Sequence, residues 1–199
     1  MSHSNLLDRT RSILAIIDVQ EAFRPMIPRC ELLAARIVDL VRGCSLLNVP
    51  IVVTEQYPKG LGHTAAEIRN ALGNNVPVIE KTTFSAWASE AFREQLRSDG
   101  RDQVILCGIE THICVGQTAQ ELIENGFTVH VVEDAVASRV EADKETGLKR
   151  LFGLGAVPTS VEMALFELAR DSRDPAFKDI QSIAKCRADL ASVERAVGT

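Results

Sequence analysis

Three side chains able to carry acyl-transfer chemistry each stand where a short apolar run gives out. Asp18 lies in IIDVQEAF, Lys81 in VIEKTTFSAW and Cys114 in GIETHICV. Each one alone has a plain structural explanation. A carboxylate after a strand is an ordinary solvated acid or helix cap, a lysine is usually exposed, and a free cysteine commonly packs as a small core residue. Together they make a nucleophilic set. A thiol attacks an electrophilic carbon, a carboxylate takes its proton, and a cation holds the thiolate or orients the base. Cys114 falls in the first turn of an expected helix, where the helix N-terminus lowers a thiol pKa. The other cysteines read as packing residues: Cys107 inside a strand, Cys44 on a helix, Cys30 and Cys186 in polar-flanked segments. His112 precedes Cys114 by two positions, and residues two apart on a helix do not face each other, so it reads as a wall or surface group. His130 alternates within a strand toward a helix–sheet seam, and His3 lies in a loose terminal segment.

The elements that must position these groups follow from hydrophobic periodicity. Strands are expected at 12–18, 50–54, 77–80, 103–107, 127–132 and 156–158, and helices at 30–47, 64–72, 88–96, 111–125, 141–154 and 161–170. Gly100 and Gly126 stop two of the helices. A C-terminal arm with a final helix follows Pro175. Strands alternating with helices imply βαβ units, a parallel sheet and helices on both faces. The first strand is apolar on both faces and therefore central. In such sheets ligands bind beyond the carboxyl ends of the strands, where Asp18, Lys81 and Cys114 stand. No repeat, linker or low-complexity segment divides the 199 residues, which read as a single domain with a core over about 12–170 and an arm over 171–199.

Composition narrows the function classes. Hydrophobic residues make up 46% and charged residues 25% of the chain, ordinary values for a soluble globular domain. The formal net charge is −5 and no Lys/Arg block stands out, so the footprint of a nucleic-acid binder is missing, and an anionic membrane surface would repel the chain. The run Ile13–Ile17 is too short for a signal-peptide core, and no stretch approaches the length of a membrane span; the expected location is the cytoplasm. The odd count of five cysteines, without a CxxC pair, argues against a disulfide framework or a zinc site. P-loop, HExxH and GxSxG motifs are absent, and Gly153 and Gly155 in GLGAV follow a helix rather than a strand, the reverse of a phosphate cradle. No cofactor is expected.

The blocks IIDVQEAF, EKTTFSAW, CGIETHICVGQTAQEL, GFTVHVVEDAVAS and GAVPTSVEMALFEL resemble the isochorismatase-like cysteine hydrolases, a superfamily that includes nicotinamidases and N-carbamoyl amidases. GIETHIC with EKTTFSAW looks most like the isochorismatase-domain-containing subgroup. The resemblance implies a three-layer αβα fold with a six-stranded parallel sheet in the order 3-2-1-4-5-6. It implies Cys114 as nucleophile, Asp18 as general base and Lys81 as the orienting cation. It also implies a non-proline cis peptide between Ile109 and Glu110 that aims the N–H groups of Glu110 and Cys114 at an oxyanion. Homo-oligomers, dimers or tetramers, are implied too.

One departure matters. Nicotinamidases of this superfamily carry a DxH…H metal site after the second strand; here the region reads TEQYPKGLGHTAAE, with Gln56 and Tyr57 in place of ligands and His63 alone remaining. No metal is expected. The segments after the strands place Gln20, Phe23, Tyr57, Phe84 and Trp87 on a pocket rim, with core packing as the alternative for each aromatic. Such a pocket suits a small, flat, largely neutral amide. Three activities compete: a cysteine amidohydrolase acting on an amide or ureide, a vinyl ether hydrolase whose activity survives loss of the thiol, and a non-catalytic or redox-sensing scaffold. Retention of both Asp18 and Lys81 argues against the last.

Overall fold

Apolar runs become the strands of one six-stranded parallel sheet in the computed structural model, which describes residues 5–97 and 100–186. The strands are β1 (Ser12–Ile17), β2 (Ile51–Gln56), β3 (Val78–Lys81), β4 (Gln103–Ile109), β5 (Thr128–Ala137) and β6 (Val157–Thr159), in the order β3-β2-β1-β4-β5-β6. That order agrees with the one implied by the family resemblance. β1 is central and buried along its whole length.

Alternation along β1 and β4 feeds two cores. Leu14, Ile16, Ile105 and Cys107 point to one face, and Ile13, Ala15, Ile17, Val104 and Leu106 to the other. The first face is covered by α1 (Cys30–Leu46), α3 (Ala66–Ala71) and α7 (Val161–Ala169), the second by α4 (Glu90–Arg97), α5 (Cys114–Glu124) and α6 (Glu141–Gly153). A single-turn helix, α2 (Pro58–Leu61), follows β2. Residues 177–186 are helical, and Ile180 joins the core beneath α1 and α7. The rest of the final helix expected in the C-terminal arm lies outside the described residues. The start of α7 is capped twice: Ser160 Oγ accepts from Met163 N at 3.3 Å, and Asp134 Oδ1 accepts from Val161 N at 2.9 Å.

Two strands run past their apolar segments. β2 continues through Glu55 and Gln56, and β5 continues to Ala137, with a register shift opposite Leu106 and Gly108. Polar residues persist in the ladder there because they serve the site beyond the core. Gly108 sits at this irregularity with φ +119°; a Cβ there would lie 2.1 Å from Ile17 O, so only glycine lets β4 pass this close to β1.

Among the described residues the core contains an unpaired base. His130 on β5 is fully buried, both ring nitrogens lack partners, and burial pushes its imidazole down to about 4. The unfolded chain binds this proton near pH 6.5 and the folded chain only near 4. Above about pH 6.5 the cost is that of two unpartnered ring nitrogens alone, and further stability is lost as pH falls from there through 4, by up to about 3 kcal/mol. His130→Leu is expected to raise stability and flatten this acid limb. Urea unfolding at about pH 5 and about pH 8 checks it: an unchanged difference between the two would remove His130 from the acid response.

Candidate active site

Asp18 follows β1 directly and adopts the left-handed conformation, φ 53°, which carboxylate and carboxamide residues tolerate better than most. That kink lifts its side chain off the strand line at the carboxyl end of the sheet. Asp18 is 1% exposed, and both of its oxygens are engaged. Oδ1 accepts from Thr54 Oγ1 at 2.7 Å and Oδ2 from Lys81 Nζ at 2.6 Å. Lys81 is the last residue of β3, not the first after it, because the β2–β3 pairing continues to Gln56–Lys81. Its ammonium also donates to Gln56 Oε1 at 2.7 Å and to the carbonyls of Thr83 and Phe84, each at 3.0 Å. Four acceptors around three hydrogens fix the ammonium in place, so this lysine is far from an exposed surface group.

The peptide bond between Ile109 and Glu110 is cis. The residues 111–113 form a turn, and α5 begins at Cys114 itself, three residues later than the sequence suggests. Cys114 is 8% exposed and its thiol faces Asp18. Burial first and the Asp18 carboxylate second push this thiol up to about 12, against the opposing pull of Lys81. Desolvation of the charged form is the largest cause of this rise. Among the described residues the backbone N–H groups of Glu110 and Cys114 donate to no acceptor, whereas Thr111 N donates to Ala137 O and Val115 N to Glu110 O. The Glu110 carboxylate turns away and binds Arg139, accepting from its backbone N at 2.9 Å and from Nε at 3.1 Å. His112 is likewise turned away, with Nδ1 3.0 Å from Ser138 Oγ.

A cavity of about 480 Å³ adjoins the cluster through Lys81 and is lined by Tyr57, Lys59, Glu80, Thr83 and Ser89 among others. Of the residues expected on a rim, Tyr57 lines it. Phe84 is 55% exposed beside it, its carbonyl held by Lys81. Gln20 is instead a buried brace for the segment after β2, with Nε2 donating to Gln56 O and Gly62 O while Oε1 accepts from Gln56 N. Trp87 also leaves the rim. Its ring packs edge-on against Phe127 at 5.6 Å with the Arg97 guanidinium 5.2 Å above it, in the core beneath α4 and α5. Phe23 is half-buried against the α1 core. Thr54 and Gln56 join the site without a motif to mark them. The one usable signal is their position, at the carboxyl end of a strand next to β1.

Gln56, at a position where nicotinamidases would place a metal ligand, binds the Lys81 ammonium. The nearby His63 ring pairs with Glu55 at 3.0 Å, and Glu55 also holds Thr64 N and Oγ1. Among the described residues no group of three His, Cys, Asp or Glu side chains is arranged to hold a metal ion.

The three-layer αβα sheet carries these side chains at its carboxyl edge, and comparison with known proteins gives the family. Residues 12–163 match the isochorismatase domain, and the chain belongs to the isochorismatase family of hydrolases. It is 42% identical over 180 residues to isochorismatase domain-containing protein 2A of Mus musculus, covering 87% of this chain and 82% of that protein. It is 41% identical over 177 residues to the secreted isochorismatase effector Isc1 of Phytophthora sojae, covering 87% and 84%. The solved structure of MAR1 ribonuclease from Caenorhabditis elegans superimposes with a TM-score of 0.86 at 37% identity, covering 89% of this chain and 91% of that one. Among the described residues no helix is long and apolar enough to cross a membrane.

Proposed function

We propose that this chain is a cysteine-dependent hydrolase that cleaves a C–N bond of a small amide or ureide. The observation that carries the proposal is the buried contact of Lys81 Nζ with Asp18 Oδ2 at 2.6 Å, set against a Cys114 thiol that burial keeps protonated. A protonated nucleophile needs a base within reach, and Asp18 is that base. As Cys114 Sγ attacks the carbonyl carbon, its proton passes to Asp18. The carbonyl oxygen becomes an oxyanion that the free N–H groups of Glu110 and Cys114 can receive. The C–N bond breaks, Asp18 returns the proton to the departing nitrogen, and ammonia or an amine leaves a thioester on Cys114. Water then gives a proton to Asp18 and attacks the thioester, the C–S bond breaks, Asp18 returns the proton to Cys114 Sγ, and the carboxylic acid product leaves. Lys81 stays protonated throughout and keeps the carboxylate oriented. Neither step requires a metal or a cofactor. The expected setting is a cytoplasmic homo-oligomer acting on a small molecule.

The test is a comparison of wild type with Cys114→Ala on a panel of nicotinamide, carbamoyl amino acids, ureides and oxamate, reading ammonia, with isochorismate followed by absorbance. Wild type alone is expected to release ammonia from one class, with the variant lower by about 10³-fold or more. Equal isochorismate turnover by both proteins would sink the thiol mechanism and favour the ether hydrolase. Silence of both, with Cys114 inert to iodoacetamide, would favour a scaffold. Because one structural relative is described as a ribonuclease, RNA belongs on the panel; the formal charge of −5 argues against phosphate-backbone binding.

A further inference from the structure

On the α1 side of the sheet, a second cavity of about 510 Å³ lies outside the catalytic cluster. It is a cleft open to solvent, bounded by the start of α1, the carboxyl end of β5 and the first turns of α6, and its lining includes Arg29, Arg36, Asp134, Ala137, Glu141 and Lys144. Arg29 is the left-handed residue just before α1 and Arg36 lies two turns into the helix, and both line the cavity. Arg36 is only 6% exposed, and its Nη1 is buried without a hydrogen-bond partner.

A guanidinium offers five donors and keeps its charge at any physiological pH. Burying one with a donor unmatched is costly unless another group brings negative charge to it. The lining holds three cations, Arg29, Arg36 and Lys144, against two carboxylates, Asp134 and Glu141. One oxygen of Asp134 is already engaged by Val161 N at the start of α7. Glu141 stands 4.0 Å from Lys144 Nζ and is largely exposed. The lining is thus left with excess positive charge, centred on its most buried member.

We infer that this cavity binds a small oxyanion, a phosphate or carboxylate group, which takes paired hydrogen bonds from the Arg36 guanidinium with Arg29 and Lys144 flanking it. The site lies close to the catalytic loop. Ala137 in its lining pairs with Ile109, and its carbonyl accepts from Thr111 N at 3.0 Å.

Thermal unfolding of the full chain, titrated with inorganic phosphate and separately with succinate at constant ionic strength set by chloride, tests this. The wild-type midpoint is expected to rise with phosphate and level off, as mass action on a folded-state site requires. Arg36→Met is expected to lose that rise. Lys144→Met and Arg29→Met are expected to weaken apparent affinity about tenfold each, the effect of losing one charge-assisted contact. A response to succinate as well as phosphate identifies the shared oxyanion chemistry; a response to one alone names the ligand group. No rise beyond the chloride control in wild type overturns the inference, as does an equal rise in Arg36→Met. If Arg36→Met does not fold, unchanged affinity in both flanking variants overturns it instead. A midpoint that climbs with protein concentration and ignores both anions would mean that a second copy covers Arg36, which also overturns it.

Discussion

Asp18→Asn is expected to lower kcat/KM on the substrate found by the panel by about 10⁴-fold, as deeply as Cys114→Ala. Carboxamide and carboxylate have the same shape, and asparagine tolerates the φ of 53° at this position. The new carboxamide can still accept from Lys81 through its oxygen while its amide donates to Thr54 Oγ1, so the local bonds reorganise and the fold persists. The ability to take a proton is lost, and with it the charge opposite Lys81, so a drop in stability accompanies the drop in rate and activity is compared on folded protein. Two further results distinguish a base from a structural part. The double variant with Cys114→Ala is expected to be no worse than either single one, because both remove the same step. The thiol is expected to ionise below the wild-type value of about 12, since Asp18 is one of the groups holding it up while Lys81 pulls it down. Residual hydrolysis and iodoacetamide labelling in Asp18→Asn should therefore both climb with pH, beginning earlier than labelling of wild type. Wild-type turnover in Asp18→Asn would place the base elsewhere.

Periodicity reveals what packs. The doubly apolar run at 13–17 marks a central strand, and the alternation of strand and helix marks a parallel sheet; the strand order itself is implied by the family resemblance. The three catalytic candidates are legible for the same reason: they interrupt apolar patterns at strand ends. What escapes depends on contacts between distant segments. Thr54 reaches Asp18 across 36 positions and Gln56 reaches Lys81 across 25, and neither breaks a local pattern. The polar ends of β2 and β5 look like loops because their strand character comes from pairing with neighbours rather than from apolar content. Trp87 shows the converse. Its position after a strand suggests a rim, but a large ring gains more beside Phe127 in the core than in water. The Cys114 thiol is raised rather than lowered because sequence does not show the burial and the facing Asp18 carboxylate that push it up.

The same burial makes Lys81→Met the most damaging single change expected for both stability and activity. The side chains of Lys81 and Asp18 are 1% and 2% exposed, so water does not compensate for the loss of either. Methionine fills the stem of the lysine but leaves Asp18 Oδ2, Gln56 Oε1 and the Thr83 and Phe84 carbonyls without their shared donor. Removing one partner of a buried pair costs about 3–5 kcal/mol, which for a chain of this size lowers the midpoint by roughly 10 °C. Hydrolysis should fall with it, because the carboxylate that must take the thiol proton has lost what orients it. Combining Lys81→Met with Asp18→Asn separates the two effects. Without the carboxylate no buried charge is left unpaired, so the double variant should recover much of the lost stability while remaining inactive, a coupling read directly from the four unfolding midpoints. If the two losses simply add, the ion pair is not what holds this corner of the sheet. If Lys81→Met alone keeps wild-type turnover, Asp18 does not need the cation, and the catalytic set reduces to Asp18 and Cys114.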